Sequence, residues 1–105
     1  MDQTFSRTVH WEGSQGDGLL FRATRVSAIS IRPQEADVIV SFLDGPGGEE
    51  VWRVEADNAA GSHFECFGSY PLLFKNGIYV KVVDDSGNSN WDMSVAVIEP
   101  MSAGT

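Results

Sequence analysis

Two histidines, His10 and His63, and one cysteine, Cys66, are the side chains of this 105-residue chain best suited to move a proton or attack an electrophile near neutral pH. They form no motif. The histidines lie far apart in the chain, with no HxH or HExxH spacing, so neither is assigned to a metal. His63 and Cys66 are three residues apart. In a strand, positions i and i+3 point to opposite faces, so this pair is not expected to act as base and nucleophile. Cys66 is instead expected to be a structural, half-buried thiol.

A third candidate is the run Asp84-Asp85-Ser86-Gly87-Asn88-Ser89-Asn90-Trp91-Asp92. It places side-chain oxygens at Asp84, Ser86, Asn88, Asn90 and Asp92, and calcium favours hard oxygen donors. The EF-hand pattern fails, because Ser89 stands at the glycine position and Val95 at the bidentate glutamate position. The same residue types build exposed turns, which is the reading preferred here. Gly45-Pro46-Gly47-Gly48 has no Lys-Ser/Thr end and no following helical pattern, so it reads as a turn and not as a phosphate cradle. Trp11, Trp52, Trp91, Tyr70 and Tyr79 could line a sugar-binding face with Asp and Asn as hydrogen-bonding partners. Against that, Trp91 alternates in phase with Met93 and Val95, as a core residue would. No catalytic, cofactor-binding or metal-binding residue is assigned, no cofactor is expected, and the chain is read as not an enzyme.

The elements that would carry such groups are strands. Asn76-Gly77 sits between Leu72-Leu73-Phe74 and Ile78-Tyr79-Val80, a strong hairpin signal. Ile78, Val80 and Val82 alternate with Tyr79, Lys81 and Val83, and Trp91, Met93, Val95 and Val97 alternate again. The spacing predicts a three-stranded meander over 71–97. Upstream, Phe5, Arg7, Val9 and Trp11 share one face of a strand, with Thr4, Ser6, Thr8 and His10 on the other. A loop at 12–18 leads to a long strand region, Leu19–Arg32, whose phase shift near Ser27 predicts a bulge or break. Pro33 ends it, because proline has no ladder donor. Asp37–Leu43 is apolar almost throughout and predicts a central strand covered on both faces. Asp44–Glu50 is an expected hairpin loop, and Val51–Ala56 pairs back with Trp52 and Val54 on one face. His63–Phe67 is a short strand, with Phe64 inward and Glu65 outward or the reverse.

Together these predict an all-β, single-domain, antiparallel two-sheet β-sandwich of jelly-roll type, with seven to eight short strands and no long helix. A small barrel is the alternative. The sandwich is expected over residues 5–98, with a flexible arm at 1–4 and a flexible tail at 99–105.

Composition narrows the function classes. Net charge is −8, from 7 basic and 15 acidic residues. The charge is uneven: residues 1–32 carry four arginines against three acids, and residues 33–105 carry three bases against twelve acids. An acidic surface repels phosphate backbones, so no nucleic-acid partner is expected. A single cysteine supports no disulfide framework, and the first residues lack the basic start and apolar run of a secretory signal. Synthesis and folding in a reducing cytoplasm are expected, with no membrane partner.

The segment Tyr70-Pro71-Leu72-Leu73-Phe74-Lys75-Asn76-Gly77-Ile78-Tyr79-Val80, closing with Ser94-Val95-Ala96-Val97, resembles the C-terminal end of small all-β proteins encoded among tailed-phage virion genes. There a P-L-x-F-x-N-G-I/L-Y-V run precedes a Gly/Ser-rich turn and a valine-rich last strand. The likeness spans residues 70–98. It implies a non-enzymatic virion structural protein, a capsid decoration or cement protein made in the host cytoplasm. Its partner would be the viral capsid or another virion protein. It would bind as a homo-oligomer, with a trimer favoured by three-fold lattice positions. The competing reading is a small carbohydrate- or receptor-binding β-sandwich module.

Overall fold

The computed structural model describes residues 4–20 and 24–100. Nine strands follow in chain order: β1 (Thr4–Glu12), β2 (Gly18–Leu20), β3 (Arg25–Arg32), β4 (Val38–Asp44), β5 (Glu50–Ala56), β6 (His63–Cys66), β7 (Leu72–Leu73), β8 (Ile78–Asp84) and β9 (Asp92–Pro100). Single 3-10 turns at Gly13–Gln15 and Asn58–Ala60 are the other regular elements.

Two antiparallel sheets result. One has the order β1-β9-β3-β6, with β7 also pairing β3, and the other has the order β2-β8-β4-β5. From β1 to β4, and again from β7 to β9, each successive strand lies in the opposite sheet. This is the winding of a jelly roll. β6 and β7 act as two halves of one strand: β6 pairs Ala28–Ile31 and β7 pairs Arg25 and Val26, with residues 67–71 looped out between them. The expected two-sheet sandwich is therefore the observed one.

Alternation determines what lies between the layers. Met93, Val95 and Val97 of β9, Val26, Ile29 and Ile31 of β3, Val40, Phe42 and Val54 of β4 and β5, and Ile78 and Val80 of β8 are all buried in one cluster. The phase shift near Ser27 is a register shift between Val26 and Ala28 in the β3–β9 ladder. Ser27 Oγ donates to Ala96 O at 3.2 Å, and Ser27 O accepts from Phe67 N, so the displaced residue keeps its hydrogen bonds. β4 lies between β8 and β5, buried along most of its length as expected.

Three expectations need correction. Asn76-Gly77 is not a hairpin turn, and 71–97 is not a meander. β7 belongs to the first sheet, β8 to the second and β9 to the first. Gly77, at φ 87°, turns the chain across the gap between layers. Asp44 Oδ1 accepts from Lys75 N and Asn76 N, both at 2.8 Å, and Phe74 drops into the core. Period-two alternation says which residues face inward. It does not say which edge a strand pairs with. Second, Leu19–Arg32 is two strands, β2 and β3, in different sheets. Third, the last strand continues through Glu99 and Pro100, which pair with Phe5 and Thr4, so the domain runs past both expected boundaries. The rest of the expected arm (1–4) and tail (99–105), residues 1–3 and 101–105, lies outside the described residues.

Candidate functional site

The candidate chemistry does not assemble. His10 lies in β1 and His63 in β6, at opposite sides of the four-strand path β1-β9-β3-β6. Three strand spacings separate them, roughly 14 Å. They also face opposite ways, His10 outward and His63 toward the interlayer corner. Each has a glutamate near its Nε2, Glu12 at 3.8 Å and Glu65 at 3.6 Å. Cys66 is exposed on the outer face, not half-buried as expected. β6 alternates His63 and Glu65 inward with Phe64 and Cys66 outward, which keeps His63 and Cys66 apart.

The oxygen-rich run at 84–92 is occupied by its own backbone. Asp84 Oδ1 accepts from Ser86 N at 2.8 Å, Asp85 Oδ1 from Gly87 N at 3.0 Å and Asn88 Oδ1 from Asn90 N at 2.9 Å. These are side-chain-stabilised turns, the role such residues favour in loops. Asn88 also ties this loop to the β3–β4 connection by donating from Nδ2 to Gln34 O. Among the described residues, no three His, Cys, Asp or Glu side chains gather as metal ligands. Gly45–Gly48 is the tip of the β4–β5 hairpin, closed by Asp44 N donating to Glu49 O at 2.8 Å.

Of the three tryptophans weighed as sugar platforms, two are turned into the core. Trp11 and Trp91 are buried, and Trp11 Nε1 donates to Gly16 O at 3.0 Å. Trp52 is half-buried: its Nε1 donates to Glu65 Oε2 at 2.7 Å, and its ring meets Phe67 edge-on at 5.1 Å. That contact closes the corner between β5 and β6. Tyr79 is partly covered, whereas Tyr70 is 87% exposed.

Two surface features remain. The first is a polar cleft of about 510 Å³ at one end of the sandwich, lined by Glu12, Ser14, Gln34, Ser89, Asn90, Trp91 and Asp92. Three connections build it: β1–β2, β3–β4 and β8–β9. Trp91 packs beneath the first of them. A Cβ on Gly13 would fall 2.5 Å from both Trp91 Nε1 and Ser89 O, so only glycine fits there. Trp91 Nε1 is buried with no hydrogen-bond partner among the described residues. Asp92 is held by Arg32 at 3.0 Å.

The second feature is the outer face of the β1-β9-β3-β6 sheet. The ladder registers place Ser6, Thr8 and His10 of β1 beside Ile98, Ala96 and Ser94 of β9. Ala28 and Ser30 of β3 continue those rows to Cys66 and Phe64 of β6. The centre of this face bears no carboxylate, lysine or arginine. Its charges stand at the two ends: Glu12, Asp92 and Arg32 at one, Arg25 at the other. Its central rows are mostly small side chains, Ser6, Thr8, Ala28, Ser30, Ser94 and Ala96. At its β6–β7 margin Phe64 and Leu73 are each 65% exposed, with Tyr70 in the loop between the two half-strands. The opposite sheet shows Arg53, Glu55 and Lys81 to solvent instead. The signal for the uncharged face lay in the sequence, as Ser, Thr and Ala at alternate positions of three segments, β1, β3 and β9. Assembling it required the strand order.

The chain matches no protein-family model, no curated protein and no solved structure.

Proposed function

We propose that this protein is a non-enzymatic structural protein that docks on a protein lattice, of the capsid-decoration kind. The observation that carries the reading is the outer face of the β1-β9-β3-β6 sheet, uncharged at its centre, with its exposed Phe64, Tyr70 and Leu73. Charge depletion with aromatic enrichment is the compositional mark of an interface centre. In a chain of net charge −8, an uncharged patch of this extent is also where an acidic lattice could approach without repulsion. The jelly-roll fold is compatible with virion components, as it is with many other functions. The resemblance of residues 70–98 to small tailed-phage virion proteins adds the class of partner, a head lattice, and the virion as location.

The test is co-sedimentation with empty shells assembled from the major head protein encoded near this gene. The wild-type chain is expected to pellet with shells. The Ser30→Glu/Ala96→Glu variant is expected to stay in the supernatant with unchanged thermal unfolding. A wild-type chain that never pellets, or a gene with no head genes around it, removes the reading.

One observation favours a second reading, a small carbohydrate-binding module. The end cleft offers carboxylates, amides and two hydroxyls, the mixture that orients a polyol in a pocket of this size. A glycan array without hits, together with tryptophan fluorescence unmoved by the arrayed sugars, removes it.

A further inference from the structure

An antiparallel sandwich has four lateral edges, and unpaired backbone groups along an edge invite another strand. Three edges here are guarded. β2 is only three residues long. The β6–β7 edge is broken by the loop at 67–71. The β5 edge is tied across the corner by the Trp52–Glu65 hydrogen bond and the Trp52–Phe67 contact. β1 is different. It runs nine residues in unshifted register against β9, from Thr4↔Pro100 to Glu12↔Asp92. It has no bulge and no proline. Among the described residues, no strand pairs with its other side. Its inward charge, Arg7, is engaged by Glu99 at 2.7 Å and so does not guard the edge.

We propose that β1 pairs antiparallel with β1 of a second copy about a two-fold axis through Thr8, joining the two β1-β9-β3-β6 sheets into one. Three observations select a second copy and this register. The midpoint of Thr4–Glu12 is Thr8, so this axis alone pairs all nine of the strand's described residues. It sets Thr8 against Thr8, Ser6 against His10 and Arg7 against Val9. No like charges meet, and a cross-strand Thr–Thr pair is favourable. Moving the axis one residue toward the N-terminus would set Arg7 against Arg7. Finally, β1 lies in the one part of the chain that is not acidic: residues 1–32 carry net +1 and residues 33–105 carry −9. Two copies meet there with least repulsion. The contact is isologous, as a two-fold requires. It departs from the three-fold arrangement expected from lattice positions. It also doubles the width of the uncharged face. The inference does not depend on the identity of the lattice.

The experiment is light scattering coupled to size exclusion, with cross-linking. Wild type is expected at twice the chain mass. Thr8→Lys places two ammonium groups face to face on the axis and is expected at the mass of one chain, with thermal unfolding still cooperative. In a Cys66→Ser background, Thr8→Cys is expected to form a dimer-sized disulfide under mild oxidation, because directly opposed strand positions lie within disulfide range. Ser94→Cys, one strand in from the edge, is expected not to. A wild-type chain that is monomeric or trimeric at every concentration overturns the proposal. So does cross-linking through Ser94→Cys but not Thr8→Cys. A wild-type chain that is dimeric but never pellets with shells removes the lattice reading and leaves this one standing.

Discussion

At the scale of single residues, the one buried ionisable side chain among the described residues is Glu99. It is 5% exposed, and its carboxylate accepts from Arg7 Nη2 at 2.7 Å. Arg7 is about half exposed, so the two ends of the pair are unequal. Removing Arg7 strands a buried carboxylate, whereas neutralising Glu99 leaves a cation that water can solvate. Arg7→Ala is therefore expected to lower stability by about 1–3 kcal/mol, less than for a fully buried pair because Arg7 reaches solvent. Adding Glu99→Gln should restore part of that loss. Urea midpoints of the single and double variants decide it: equal losses for both would show that the pair is not what matters. Glu50 gives a second residue-scale expectation. Its carboxylate accepts from Arg53, at 3.0 Å from Nη2, and from the buried Ser41 hydroxyl at 2.5 Å. The Arg53 hydrogen bond, then the Ser41 one, holds it below the usual carboxylate range. A lowered folded-state pKa stabilises the fold at pH values above the unfolded value, and the contribution fades as pH falls through the folded value. Wild type should thus exceed Glu50→Gln in thermal midpoint at pH 7. The gap should close below the usual carboxylate range, and a gap that widens on acidification would reverse the sign. Neither residue stood out in the sequence. In sequence Glu99 falls at the start of the expected tail, because a proline follows it. On an edge-paired strand end, proline is tolerated.

At the scale of elements, alternation made the strands legible and left their partners hidden. Met93, Val95 and Val97 were readable as core because every second residue is apolar, and the outward positions of β9 were readable as Ser94 and Ala96. The bulge at Ser27 was readable for the same reason: an alternating pattern that slips by one needs an extra residue. The neighbour of each strand was not readable. The Asn-Gly signal describes two φ angles, and here one of them, at Gly77, serves a crossing between layers. What decides the pairing is the sum of long-range ladders, β9 between β1 and β3 and β8 between β2 and β4, and none of these is local in sequence. The bulge offers a sharp test. Deleting Ser27 puts Val26 directly before Ala28, so Val26 still faces inward opposite Val97 and β3 pairs β9 without a shift. The deletion gives up the hydrogen bonds at Ser27 Oγ and Ser27 O, so cooperative thermal unfolding is expected to survive at a cost of about 1–3 kcal/mol in urea. Ser27→Ala keeps the extra residue and gives up only the hydrogen bond to Ala96 O, so it should cost about 1 kcal/mol. A deletion variant that no longer unfolds cooperatively would show that the ladder needs the extra residue.

At the scale of the whole molecule, the first strand closes on the last. β1 pairs β9 along its entire length, and β9 also supplies the partner for most of β3. The first sheet therefore cannot form until residues 92–100 are present, and the second sheet, whose core residues pack against Met93, Val95 and Val97, loses the opposite layer without them. The uneven charge of the chain follows the same logic: its near-neutral first third supplies two neighbours of the last strand, and the acidic remainder supplies most of the loops and the second sheet. Contacts this distant in sequence make closure slow, with refolding expected on the millisecond-to-second scale typical of all-β sandwiches. They also make the domain all-or-none. A chain ending at Trp91 is expected to show no cooperative thermal transition and no near-ultraviolet circular dichroism from Trp11 and Trp91. Adding a synthetic peptide of residues 92–100 should restore both signals, because it re-supplies the central strand of the first sheet. A truncated chain that still unfolds cooperatively would mean that the second sheet is stable by itself. In that case β9 adds a surface to a domain already folded and is not the strand on which the two layers close.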